Sequence, residues 1–361
     1  MRSEEAEGAR RRYLYRRLVS RGALRVPLRG AIPLVGPDCA YHLYAGRDPA
    51  PAGRARRGRA AALLAALLLA AAPAGSPAAP AADRRADEPP DVDRHVAALR
   101  RRLPAAPAFT LRVAAPYVVV GDGPPDEVAR LAEHVVARAA GEFRARFFAR
   151  DPGTIVDVYL FKDRDSYYRH TAMLTGSPPE SPLGFFSSHA NALLMDVNAG
   201  EGALMHELVH PFVRSNWPRC PPWINEGLAT LFEDCRDRGG RLEGAHNGRF
   251  LTLLRALDRG SALPFSSLAA LSDAAFYNDP TGLHYAQSRY VFFHLQQRGA
   301  LDAFCRRYAE TSRDDPTGGA ALADALKIEG PAEFDRAWRA AMLADPWAAR
   351  LRAEGRLAPK P

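Results

Sequence analysis

The sequence has no run of apolar residues long enough to cross a bilayer as a helix, which takes about 20. Its longest, residues 60–72, is thirteen Leu and Ala residues, so no stable membrane span is expected. No internal repeat is present, which excludes solenoids and propellers. Cysteine is scarce, at 4 in 361 residues, too few for a scaffold stapled by disulfides. Net charge is missing where it would matter. The formal charge is +8, but residues 1–74 hold 14 Arg against 5 acidic residues, a net +9, so residues 75–361 carry −1. No nucleic-acid partner is expected, because the positive excess belongs to the leader. The whole sequence is 47% hydrophobic, enough for a sizeable core in one large domain or two lobes.

The leader has the layout of a secretory signal displaced inward. Arg54, Arg56, Arg57 and Arg59 form a basic n-region, residues 60–72 an apolar h-region, and Ala72-Pro73-Ala74 a cleavage site of A-x-A type. This predicts a secreted or periplasmic protein of the cell envelope; a low-complexity Ala/Arg stretch is the alternative. Residues 1–59, an extension without periodicity, are unusual ahead of a signal and are read as a start-site artefact. Residues 75–106 read as a Pro/Ala-rich linker with a short helix over 92–103. The main domain is expected over 107–345, with 346–361 as a C-terminal tail.

Chemistry concentrates in Met205-His206-Glu207-Leu208-Val209-His210, followed sixteen residues after His210 by Glu226 in Trp223-Ile224-Asn225-Glu226-Gly227. Helical residues four apart lie about 40° from each other around the axis, so His206 and His210 can share a metal ion. Glu207 points beside them, offset for a ligand but placed to deprotonate a water on the same ion. A third donor is needed to leave one position open for water. Glu226 is the natural choice: residues 223–234 read as a second amphipathic helix, folded back through Pro218, Pro221 and Pro222. The competing reading is a surface helix whose histidines merely line up.

At these residues the chain resembles a gluzincin, the zincin group in which H-E-x-x-H is completed by a Glu on a following helix. The run Trp223-Ile224-Asn225-Glu226-Gly227-Leu228-Ala229 is similar to the W-L-N-E-G-F-A run of the zinc aminopeptidases. The broader pattern to Glu233 resembles the peptidase MA-like families. The resemblance covers roughly 107–308 and is strongest over 203–233. It implies an α+β fold of two lobes, an upper mixed sheet with helices and a helical lower lobe, with the zinc cleft between. It also implies Zn2+ on His206, His210 and Glu226, with Glu207 as general base.

Three positions depart from the pattern. Pro211 removes the helical donor to the Glu207 carbonyl, so a kink or stop is expected there. Ser188-His189-Ala190-Asn191-Ala192 stands where the aminopeptidases carry G-A-M-E-N and has no Glu, so aminopeptidase specificity is not expected. Thr230 stands four residues after Glu226, where the thermolysin branch has an Asp that orients a ligand His. Orientation must therefore come from elsewhere.

Before this motif, strands are expected over 109–113, 117–120 and 155–161, the last central, with helices over 126–150 and 165–174. Residues 184–187 and 192–197 read as paired strands. In a zincin the strand before the zinc helix is the sheet edge, which makes Asn191, Ala192 and Leu193 part of the peptide-binding edge; an ordinary edge strand is the alternative. Asn198 and Glu201 have the spacing of a capping pair. After Glu233 the pattern is helical, over 247–257, 264–271, 285–297, 301–310 and 331–344. Tyr285 opens one of these helices, as the oxyanion-stabilising Tyr of the resembling aminopeptidases does; a Tyr packed at a lobe interface is the alternative, and His284 and Tyr290 are weaker candidates. The remaining histidines have no ligand spacing. Cleavage of the leader removes Cys39. Cys220 and Cys235 lie too far apart along helix to pair, so either could join Cys305, or all three could be reduced. The expectation is a zinc peptidase acting on peptides or proteins, against a catalytically silent zincin-fold binding or scaffolding module of the envelope.

Overall fold

The structure is a computed structural model that describes residues 91–104, 108–179 and 181–357. The leader, Cys39 and the linker up to residue 90 lie outside the described residues. Among the described residues no helix is long and apolar enough to cross a membrane.

The described residues begin with α1 (Val92–Arg102), then β1 (Thr110–Ala114) and β2 (Tyr117–Gly121). A single helical rod follows as α2 (Pro125–Leu131), a π-helical turn (Ala132–Ala137) and α3 (Arg138–Arg146). It ends four residues before the predicted boundary, where Phe147 and Phe148 turn into the core and Pro152-Gly153 cannot continue a helix. Next come β3 (Val156–Phe161), α4 (Arg164–Thr175), β4 (Gly184–Ser187) and β5 (Ala192–Asp196). These strands make one mixed sheet in the order β1-β2-β3-β5-β4, with β2, β3 and β5 parallel and the two outer strands antiparallel. The β-branched run in β3 is buried at every residue and central, as its composition predicts.

Alternation along the strands divides the core. Val119, Val158, Leu193 and Met195 face the helical body, whereas Val118, Val120, Tyr159, Phe161 and Leu194 face α1 and α4. The helix read as part of the linker thus belongs to the fold: Leu99 is buried, and His95 Nε2 meets Asp157 Oδ1 at 2.7 Å.

The strand order corrects the reading of Asn191, Ala192 and Leu193. β5 lies between β3 and β4, so the edge is β4, and Ala192 and Leu193 are buried inside the sheet. The two strands form a hairpin, and in a hairpin beside an existing parallel pair only one arm can be outermost. Asn191 is the turn residue, with a left-handed φ of 48°.

After a short 3-10 turn comes α5 (Glu201–Asn216), which carries the metal motif. A stop at Pro211 and the Asn198/Glu201 cap are both contradicted. The helix runs through Pro211 without a break, because residues 203–213 are buried on all sides and Tyr117 donates to the Leu208 carbonyl oxygen at 2.6 Å. Its N-cap is Gly200, at φ 90°, and not an Asn198/Glu201 pair. Asn198 bonds Asp196 instead, and Glu201 pairs with Arg130.

α6 (Pro222–Leu231) starts with proline at its first position and brings Glu226 back to α5. Then β6 (Cys235–Arg238) and β7 (Arg241–Gly244) form a hairpin that the helical reading missed. Its signal was Gly239-Gly240, both with positive φ, the backbone of a tight hairpin turn. Helices follow: α7 (Arg249–Asp258), α8 (Phe265–Ala269), α9 (Asp273–Tyr277), α10 (Leu283–Gln297), α11 (Leu301–Thr311), α12 (Gly319–Leu326), α13 (Pro331–Ala344) and α14 (Pro346–Ala353). As far as residue 357 the expected tail is part of this body, since Ala348, Leu351 and Leu357 are buried in the main core. Cys220, Cys235 and Cys305 are all free thiols.

Gly227 lets α6 and α10 touch. A Cβ there would lie 2.6 Å from the Phe292 ring and 2.9 Å from the Ser288 carbonyl oxygen. Gly227→Ala is therefore expected to destabilise the fold by roughly 1–3 kcal/mol, read as a lower midpoint in denaturant at unchanged slope. A wild-type midpoint would show that the helices separate freely.

Candidate metal centre

α5 is buried on both its apolar and its polar faces, which is possible only if its polar side chains are satisfied by one another or by an ion. His206, Glu207 and His210 are 2%, 3% and 9% exposed. A ligand atom from each lies within 4.8 Å of the other two. Glu226 joins from α6, its Oε2 3.3 Å from His206 Nε2. The sequence-predicted ligands and base are therefore brought together in one place.

Each imidazole is held from behind. His206 Nδ1 is 3.1 Å from Glu233 Oε1, and His210 Nδ1 is 3.0 Å from Asn225 Oδ1. Acceptors at both Nδ1 atoms place the ring proton there in the neutral tautomer and leave Nε2 as the donor to a shared ion. Glu233 is itself clasped by Arg249, Nε to Oε2 and Nη2 to Oε1, both at 2.8 Å. This answers the question raised by Thr230, whose hydroxyl instead bonds the Glu226 carbonyl at 2.6 Å. Orientation of His206 comes from Glu233, seven residues after Glu226 rather than four.

Glu226 is positioned too. Its Oε1 accepts from the Tyr277 hydroxyl at 2.8 Å and from Asn225 Nδ2 at 3.1 Å, while Oε2 turns to His206 Nε2. With Oε1 engaged, the carboxylate is set to bind an ion through one oxygen. Tyr277→Phe is expected to weaken metal binding by about 10- to 100-fold, measured by competition with a coloured chelator. Unchanged affinity would mean that Glu226 needs no such guide.

The donor set fits a transition-metal ion: two imidazole nitrogens and a carboxylate oxygen converging in a buried site. Burial alone would depress His206, but the hydrogen bonds it donates to Glu226 and Glu233 and the charge of Glu207 lift it to about 10. Against the opposing effect of burial, His210 and His206 hold Glu226 below the usual carboxylate range, and Arg249 and His206 do the same for Glu233. The metal-free protein thus carries a proton on His206 at neutral pH, and an incoming cation must displace it. Metal affinity should rise about tenfold per pH unit from neutrality toward pH 10, with release of a proton that buffers of different ionisation enthalpy will reveal. A pH-independent affinity over that range would contradict the His206 assignment.

Tyr285 is buried beside the site, its ring 5.2 Å from Phe276 and 6.3 Å from Tyr277, with the Arg249 guanidinium 5.3 Å from its centroid. Burial, then the charge of Glu226, pushes its hydroxyl well above the ordinary tyrosine value, so it stays protonated. Asn191, Ala192 and Leu193 are not part of the cluster. Four contributors were missed by sequence reasoning. Asn225 and Glu233 flank the motif and could have been weighed as partners of the histidines. Arg249 and Tyr277 are distant in sequence and have no spacing signal. Set against known proteins, the sequence matches no family model and no curated protein, so the site stands on its own geometry.

Proposed function

We propose that this chain is a zinc-dependent peptidase of gluzincin type. The observation that carries the reading is the convergence of His206, Glu207 and His210 on one buried helical face, with both Nδ1 atoms already engaged. In this reading the sheet with its helices is the upper lobe, α7 to α14 form the lower one, and His206, His210 and Glu226 hold zinc between them. Zinc bound there would supply Lewis acidity to activate a water and polarise the scissile carbonyl. Glu207 takes the proton of that water and passes it to the leaving amine. Tyr285, kept protonated, donates to the developing oxyanion. The peptide lies along β4, the outermost strand on this side of the sheet, whose backbone groups can pair with an added strand. The leader reading adds an exported location to the proposal. Incubation with a mixed peptide library, read by mass spectrometry, tests it: cleavage that chelation stops and zinc restores is expected. A zinc-loaded, folded protein that cleaves nothing would sink it.

A further inference from the structure

Arg214 lies on the metal-binding strip of α5. Taking 100° per residue, it projects between His210 and Glu207, one turn beyond His210 and about 10 Å along the axis from Glu207. It also faces the sheet edge: its guanidinium sits 4.6 Å from the ring centroid of Phe186 on β4. Its Nη2 donates to Asn191 Oδ1 at 2.6 Å.

Asn191 is fixed for this contact. Its backbone is left-handed, at φ 48°, and its Nδ2 donates to Thr154 Oγ1 at 3.0 Å and to the Ile155 carbonyl at 2.7 Å. Only the amide oxygen is left to face the guanidinium. The ring of Phe186 covers one face of the fork and Asn191 holds one arm, so the fork loses little freedom on taking a ligand. Among the described residues Arg214 has no carboxylate partner, unlike Arg130, Arg146 and Arg249. Arg214 is exposed, so the rest of its fork is open to a ligand, and the partial desolvation beside Phe186 lowers its pKa.

We infer that Arg214, braced by Asn191 and Phe186, is a carboxylate-recognition subsite at one end of the cleft, giving the enzyme a preference for substrates that carry an acidic group there. The inference rests on the peptidase reading. A planar fork matches a carboxylate through two parallel N–H bonds, which a neutral amide cannot reproduce. The carboxylate belongs either to an Asp or Glu side chain or to the substrate's C-terminus.

Matched peptides test this, with Glu or Gln at each position and with free or amidated C-termini, on wild type, Arg214→Gln and Arg214→Lys, all checked for metal content. Wild type should favour acidic over amide forms by about tenfold or more in kcat/KM, with the preference lost in Arg214→Gln and partly kept in Arg214→Lys. A Glu/Gln difference assigns the side chain, and a difference confined to free against amidated ends assigns the terminus. Equal rates on acidic and amide forms by wild type, or the same preference in Arg214→Gln, overturn the subsite and leave the peptidase intact. Cleavage of no peptide by metal-loaded wild type overturns both.

Discussion

Glu207→Gln should leave the metal in place and lower kcat/KM for peptide cleavage by about 10²- to 10⁴-fold, the range of a positioned general base. The substitution keeps the volume and the hydrogen-bonding capacity of a residue that is 3% exposed, and removes only its ability to take a proton. Glu207 lies 100° around the helix from His206, and its Oε2 is 3.9 Å from His210 Nε2, beside the ligand set. Metal content and kinetics measured on the same preparation separate the chemistry from the scaffold. A variant that cleaves as fast as wild type would remove Glu207 from the role of general base.

Glu226→Ala should weaken metal binding by a factor of about 10² or more. If roughly 10 kcal/mol of metal affinity is shared among three ligands, each carries about 3 kcal/mol, or about 10² in the dissociation constant. The loss extends beyond the ligand. Tyr277 and Asn225 both donate to Glu226 Oε1, and truncation strands those donors in a buried site. Chelator competition on Glu226→Ala beside Glu233→Gln makes the comparison. Glu233→Gln keeps an acceptor for His206 Nδ1 but drops the charge that Arg249 clasps, so it should cost less, about tenfold. Equal affinities for wild type and Glu226→Ala would remove Glu226 from the ligand set.

The centre was legible in the sequence because its geometry is local. Helical periodicity alone places His206 beside His210, and a prolyl turn followed by a short amphipathic helix returns Glu226 to them. The β3 strand was legible from composition, since a β-branched and aromatic run with a single charge, Asp157, suits a position covered on both faces. Edge against interior was not. Whether β4 or β5 is outermost depends on which arm of the hairpin pairs with β3, a long-range choice that neither strand records in its own residues. Pro211 misled for a similar reason, because a rule for helix interiors gave way to burial on every side and to the Tyr117 hydroxyl. The network behind the histidines was half visible. Asn225 and Glu233 lie beside the motif, whereas Arg249 and Tyr277 reach it only once α7 and α9 have packed.

X-ray absorption on the zinc-loaded chain tests the central claim most directly. The account predicts one zinc per chain with two imidazole nitrogens at about 2.0–2.1 Å and oxygen from one carboxylate and water at about 2.0–2.2 Å. A shell containing sulfur, a hydrated six-oxygen shell, or a folded protein that takes up no zinc would contradict it.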